Sequence, residues 1–145
     1  MNTQTERLQL ELRPGTETIL LVDDEEYLRD ALTRFLSEQL GYNLLSAGSA
    51  EEALDLVESY SGNIDLLLTD ILLPGMSGSE LAEKMLSSYP GVRIMYISGY
   101  ADQNLESYGI STSKIMLLQK PFSIKSLAAK LREVLDKDEE ESGDQ

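Results

Sequence analysis

Apolar residues run along this chain in two alternating patterns. Short, nearly unbroken apolar runs occur at 18–23, 42–47, 64–69, 92–97 and 115–119. Between and after them lie longer stretches with apolar positions three and four apart. The stretch 25–40 carries Leu28, Ala31, Leu32, Phe35, Leu36 and Leu40 on one stripe, which predicts an amphipathic helix stopped by Gly41. A second helix opens at Ser49, with Glu52 three residues on as a capping box, and buries Ala53, Leu54 and Val57. A third opens at Ser77 with Glu80 in the same relation. It buries Leu81, Ala82, Met85 and Leu86 and ends at Pro90-Gly91. A short, poorly amphipathic helix is expected over 101–108. A last one over 123–136 buries Leu127, Ala128, Leu131, Val134 and Leu135.

Five strand–helix units with such apolar strands predict an α/β fold, a parallel sheet covered by helices on both faces. The crossovers are expected to be right-handed. The flanks read differently. Residues 1–17 are polar and end in Pro14-Gly15, a leader or linker. Within them Leu8, Leu10 and Leu12 alternate with polar residues, which also fits the end of an upstream domain. Residues 137–145 form an acidic tail expected to fray into solvent, the other reading being an acidic interaction arm.

Composition narrows the chemistry. The 145 residues include no cysteine and no histidine, so disulfides, a Ser-His-Asp triad and a phosphohistidine are excluded within this chain. Any histidine in its chemistry comes from a partner. No apolar run is long enough to cross a bilayer and no signal peptide opens the chain, which fits a cytoplasmic domain without membrane insertion. The net charge is −14. The acidic tail accounts for part of it, and the remainder still opposes direct nucleic-acid binding.

The most specific pattern is where the strands end. Asp23 and Asp24 close the first run, Asp70 the third, Ser98-Gly99 the fourth and Lys120-Pro121 the fifth. Each alone has a structural explanation, as a helix cap or turn residue. Together they lie at the carboxyl edge of one parallel sheet, where open α/β sheets bind ligands. Clustered carboxylates repel and call for a hard cation such as Mg²⁺. A lysine beside them calls for an anion, and a phosphoryl group satisfies both.

At these residues the chain resembles the receiver domain of two-component response regulators. The resemblance lies in Ile19-Leu20-Leu21-Val22-Asp23-Asp24-Glu25-Glu26, in Leu66 to Gly78 with Asp70-Ile71-Leu72-Leu73-Pro74-Gly75, in Tyr96-Ile97-Ser98-Gly99-Tyr100 and in Leu118-Gln119-Lys120-Pro121-Phe122. It covers about 18–136 and implies a flavodoxin-like, doubly wound five-stranded sheet in the order 2-1-3-4-5. It implies Asp70 as phosphoacceptor, taking a phosphoryl group from the phosphohistidine of a histidine kinase or histidine phosphotransfer protein. It implies Mg²⁺ held by Asp24, by Asp23 partly through water, by Asp70 and by the Leu72 carbonyl. Lys120 would neutralise one phosphoryl oxygen, Ser98 would hydrogen-bond another, and Gly99 would leave room for the group. Lys120-Pro121 would be a cis peptide. The domain would then catalyse its own aspartyl phosphorylation and dephosphorylation. One position departs from the family: three residues before the lysine, where an aromatic is usual, stands Leu117.

Three other functions compete. A haloacid-dehalogenase-type phosphatase needs an acid two residues after the nucleophile, where Leu72 stands. A flavodoxin or nucleotide binder needs a phosphate loop after the first strand, where Asp-Asp-Glu-Glu would repel phosphate. A pseudo-receiver serving only as a docking module has no need of the full acid, hydroxyl and lysine set. No basic recognition helix follows the last helix, so direct transcription control is not expected. The context expected is a stand-alone receiver or one cut from a larger protein. The resemblance to receivers fused behind a histidine kinase favours the second, in which case the parent would be a histidine kinase.

Overall fold

A computed structural model describes residues 15–99 and 116–136. The Leu8–Leu12 pattern, the short helix over 101–108 and the acidic tail lie outside the described residues. Five strands form one parallel sheet: β1 (Thr18–Val22), β2 (Asn43–Ala47), β3 (Leu66–Asp70), β4 (Arg93–Ser98) and β5 (Met116–Gln119). Their order is β2-β1-β3-β4-β5, as expected. The described helices are α1 (Glu26–Arg34), α2 (Ala50–Ser59), α3 (Gly78–Ser88) and α4 (Ile124–Leu135).

The central strands are apolar on both faces because both are covered. On β1, Ile19 and Leu21 join one core with Leu32 and Leu36 of α1 and Leu127 and Leu131 of α4. Leu20 and Val22 point the other way, to Ala53 of α2 and Leu81 and Met85 of α3. The same alternation puts Leu66 and Leu68 of β3 in the first core and Leu67 in the second. All seven of these strand residues are fully buried, so truncating Leu68 to alanine should cost about 2–5 kcal/mol.

Local differences from the sequence expectation have physical causes. Helix α1 runs on into a π-helical turn, Phe35–Gln39, before Gly41 turns at φ 86° and donates its N–H to the Ser37 carbonyl. Ala31 is exposed, because Leu28, Leu32, Leu36 and Leu40 at four-residue spacing already fill the inner stripe. Leu86 is also exposed: Leu81, Ala82 and Met85 take the inner face of α3, and Leu86 lies beyond its edge, 42% exposed. Ser77 and Glu80 make the full capping box. The second box is only half formed. The Ser49 hydroxyl accepts from the Glu52 N–H, but the Glu52 carboxylate accepts from Gly48 N–H, one residue too early. Strand β3 begins at Leu66, since Asp65 uses its carboxylate and its main chain to bind Thr18.

Candidate functional site at the carboxyl edge of the sheet

Parallel pairing brings the strand ends to one edge. Val22 is level with Thr69, Asp70 with Ile97, and Ser98 with Gln119. Asp23, Asp70, Ser98 and Lys120 therefore emerge side by side, and the Lys120 N–H donates to the Ser98 carbonyl at 2.7 Å. The Lys120-Pro121 peptide is cis.

Carboxylate oxygens of Asp23, Asp24 and Asp70 lie within 4.8 Å of one another. Asp23 is fully buried, Asp70 is 7% exposed and Asp24 faces solvent. Asp23 Oδ1 accepts from the Glu25 N–H at 2.8 Å, but its buried Oδ2 has no hydrogen-bond donor. Lys120 Nζ reaches Asp70 Oδ2 at 3.1 Å and Glu25 Oε1 at 2.8 Å, and stands 3.6 Å from Asp23 Oδ2. Asp70 Oδ1 accepts a long bond from the Leu72 N–H at 3.4 Å. Ser98 is buried, and its hydroxyl donates to the Gly99 carbonyl at 3.0 Å.

Burial dominates the acids. It pushes the Asp23 carboxyl above its ordinary range, although the Glu25 N–H and Lys120 favour the ionised form. Asp70 is likewise raised by burial against the opposing bond from Lys120. Burial alone would lower Lys120, but hydrogen bonds to Glu25 and Asp70 outweigh it and hold the ammonium charged. Lys120 is ion-paired with three of the four carboxylates gathered here, Asp23, Asp24, Glu25 and Asp70, so the edge keeps a negative excess.

Three clustered oxygen donors and an orphaned buried Asp23 oxygen fit a hard divalent cation of the Mg²⁺ kind. Every side chain expected at the site stands at this edge. Three supports were not foreseen. Glu25 shares Lys120, and its place in the Asp-Asp-Glu-Glu run was the available cue. Arg29, one turn into α1, donates to the Asp23 carbonyl at 2.7 Å. Gly78 lies so close to the Asp70 main chain that a Cβ there would collide with its carbonyl oxygen.

A parallel sheet in this order, with acids, a hydroxyl and a lysine along its carboxyl edge, is a flavodoxin-like doubly wound fold with its ligand-binding edge so furnished. Residues 19–132 match the response regulator receiver domain family, and the chain belongs to it. It is 34% identical over 123 residues to sensor kinase CckA of Brucella abortus, covering 85% of this chain and 13% of that protein. It is 31% identical to the response regulator receiver protein CpdR of the same organism, covering 81% of this chain and 95% of CpdR. A solved receiver domain protein from Methanospirillum hungatei superposes with a TM-score of 0.74 at 31% identity, over 88% of this chain and 99% of that one. The chain spans 13% to 47% of the length of CckA and three other multidomain-length relatives, and nearly all of CpdR. Among the described residues no helix is long and apolar enough to cross a membrane.

Proposed function

We propose that this receiver domain takes a phosphoryl group from a partner's phosphohistidine onto Asp70 in a Mg²⁺-dependent reaction. The observation that carries this is the Asp70 carboxylate itself. One oxygen meets Lys120 at 3.1 Å, and the group sits within 4.8 Å of two further acids. That is a nucleophile between a cation and a metal-ligand set. Bound there, Mg²⁺ would neutralise charge on the carboxylates and on the phosphoryl oxygens. Asp23, Asp24, Asp70 and the Leu72 carbonyl are its proposed ligands.

The step balances simply. An Asp70 oxygen forms the new O–P bond and the donor's P–N bond breaks. The electron pair returns to the partner's imidazole nitrogen, which takes up a proton. Lys120 holds Asp70 in place and turns its charge to one phosphoryl oxygen. Ser98 leaves the Gly99 carbonyl and donates to another. Gly99 has no side chain to obstruct the group. Little proton chemistry is required, since phosphoryl transfer rests on positioning and charge. The partner is a histidine kinase or histidine phosphotransfer protein, met in the cytoplasm. Likeness to the CckA segment supports a parent that is a hybrid kinase.

The test is to incubate the protein with acetyl phosphate and Mg²⁺ and map the adduct by mass spectrometry. One acid-labile adduct on Asp70, absent from D70N, is expected. Full labelling of D70N, or a stable adduct on Ser98, would overturn the assignment. No labelling at all would leave the domain a docking module.

A further inference from the structure

Glu25 stands out at this edge because the metal-ligand set does not need it. Its backbone is fixed by the bond from its N–H to Asp23 Oδ1 at 2.8 Å. Its side chain is 61% exposed, yet it makes the shortest contact to Lys120, at 2.8 Å. The same ammonium holds Asp70 at 3.1 Å, so the Glu25 charge sits within about 6 Å of the proposed nucleophile. The helix behind it adds Glu26 and Asp30 on exposed positions, and the described ion pairs of these carboxylates are all to Lys120, Arg29 reaching only the Asp23 main-chain carbonyl.

We propose that Glu25 is a specificity-determining residue that shares Lys120 with Asp70 and biases the site against free dianionic phosphodonors while favouring cation binding. This rests on the reading of Asp70 as phosphoacceptor and adds what selects the donor. A negative charge at this distance acts in opposite directions on the two ligands. It attracts the divalent cation and repels a phosphoryl donor carrying two charges. It also draws off part of the Lys120 charge that the incoming phosphoryl oxygens would otherwise meet. A donor presented on a protein surface beside positive charge escapes the penalty, and a small free anion does not. Coulomb's law in water, screened at 0.1 M salt, makes the penalty for a dianion about 6 Å away about fourfold in rate. At 1 M salt the Debye length of about 3 Å reduces it below about twofold.

The experiment compares wild type, E25Q and E25A in two measurements. The first is the rate of Asp70 labelling by sub-saturating acetyl phosphate at saturating Mg²⁺, at about 0.1 M and about 1 M salt. Both variants should label about fourfold faster than wild type at the lower salt and converge on it at the higher. The second is calorimetric titration with Mg²⁺ alone, where both variants should bind more weakly. Faster labelling with weaker metal binding is the mark of one charge acting on two ligands of opposite sign. A merely structural contact would, when lost, impair both. Slower or unchanged labelling of either variant, or a rate ratio insensitive to salt, overturns the proposal while labelled wild type leaves the phosphoacceptor reading intact. Failure of wild type itself to label overturns that reading and this one together.

Discussion

Two charge clusters in this domain have similar ingredients and opposite character. At the carboxyl edge, Lys120 faces Asp23, Asp70 and Glu25. On the other, α4 carries Arg132, which binds both oxygens of Glu17 at 3.0 and 3.1 Å, the Asp136 carboxylate and the Tyr42 hydroxyl. Around Arg132 the acids are paired. Burial would raise Glu17, but the guanidinium outweighs it and holds the carboxyl below its ordinary range. Around Lys120 burial wins, Asp23 and Asp70 are pushed up, and one Asp23 oxygen has no donor. The Arg132 cluster closes the fold by tying the segment leading into β1 to α4. The Lys120 cluster is left electrically unfinished, and an unfinished site has something to gain from a ligand.

The largest expected effect lies at the unfinished cluster. D24A removes a proposed metal ligand without touching the core, since Asp24 is exposed. Phosphorylation by acetyl phosphate should fall by about 100-fold, in the range for loss of a metal-centred contribution. The apo domain should become more stable, because a repelling carboxylate is gone. Intact labelling would remove Asp24 from the site, and a less stable apo protein would break the repulsion argument.

At the finished cluster the signs reverse. R132Q should destabilise the domain by about 2 kcal/mol in urea unfolding at neutral pH, the range for part-buried charged hydrogen bonds. It should leave Asp70 labelling within about twofold, on the ground that sites so separated act independently. Glu17 sets the pH dependence. Its folded pKa lies below the ordinary glutamate value of 4.5, so its stabilisation is present above 4.5 and is lost as pH falls through the lower folded value. The gap between wild type and R132Q should therefore narrow in acid. A gap independent of pH would show that Arg132 acts through packing alone.

The sheet and the site were legible in the sequence for different reasons. Central strands such as Leu66 to Leu68 are buried on both faces, so apolar runs and their order were enough. The site was legible because Asp23, Asp70 and Lys120 end strands that have no packing use for charge. Side-chain facing was harder. Ala31 and Leu86 are apolar and near the inner stripe, and only packing decides that they lie outside it. Glu25 was missed because its partner is a lysine 95 positions on, and Arg29 because its partner is a main-chain carbonyl six residues back, which no side-chain pattern marks. Leu117, where an aromatic was usual, is half-buried and packs with the core that holds Tyr96, its neighbour in register.

The claim that joins these observations is that the fold holds Asp70 ionised at a cost which a ligand relieves. The most direct measurement is the melting temperature of metal-free D70N against wild type across pH. Asp70 has a folded pKa raised above 3.8, so its ionisation removes stability as pH rises through the window from 3.8 to that higher value. Metal-free D70N should therefore melt above wild type at neutral pH, with the difference shrinking toward pH 3.8. Melting below wild type at neutral pH would show that Asp70, like Glu17, stabilises the fold through its cation, and the contrast between the two clusters would fail.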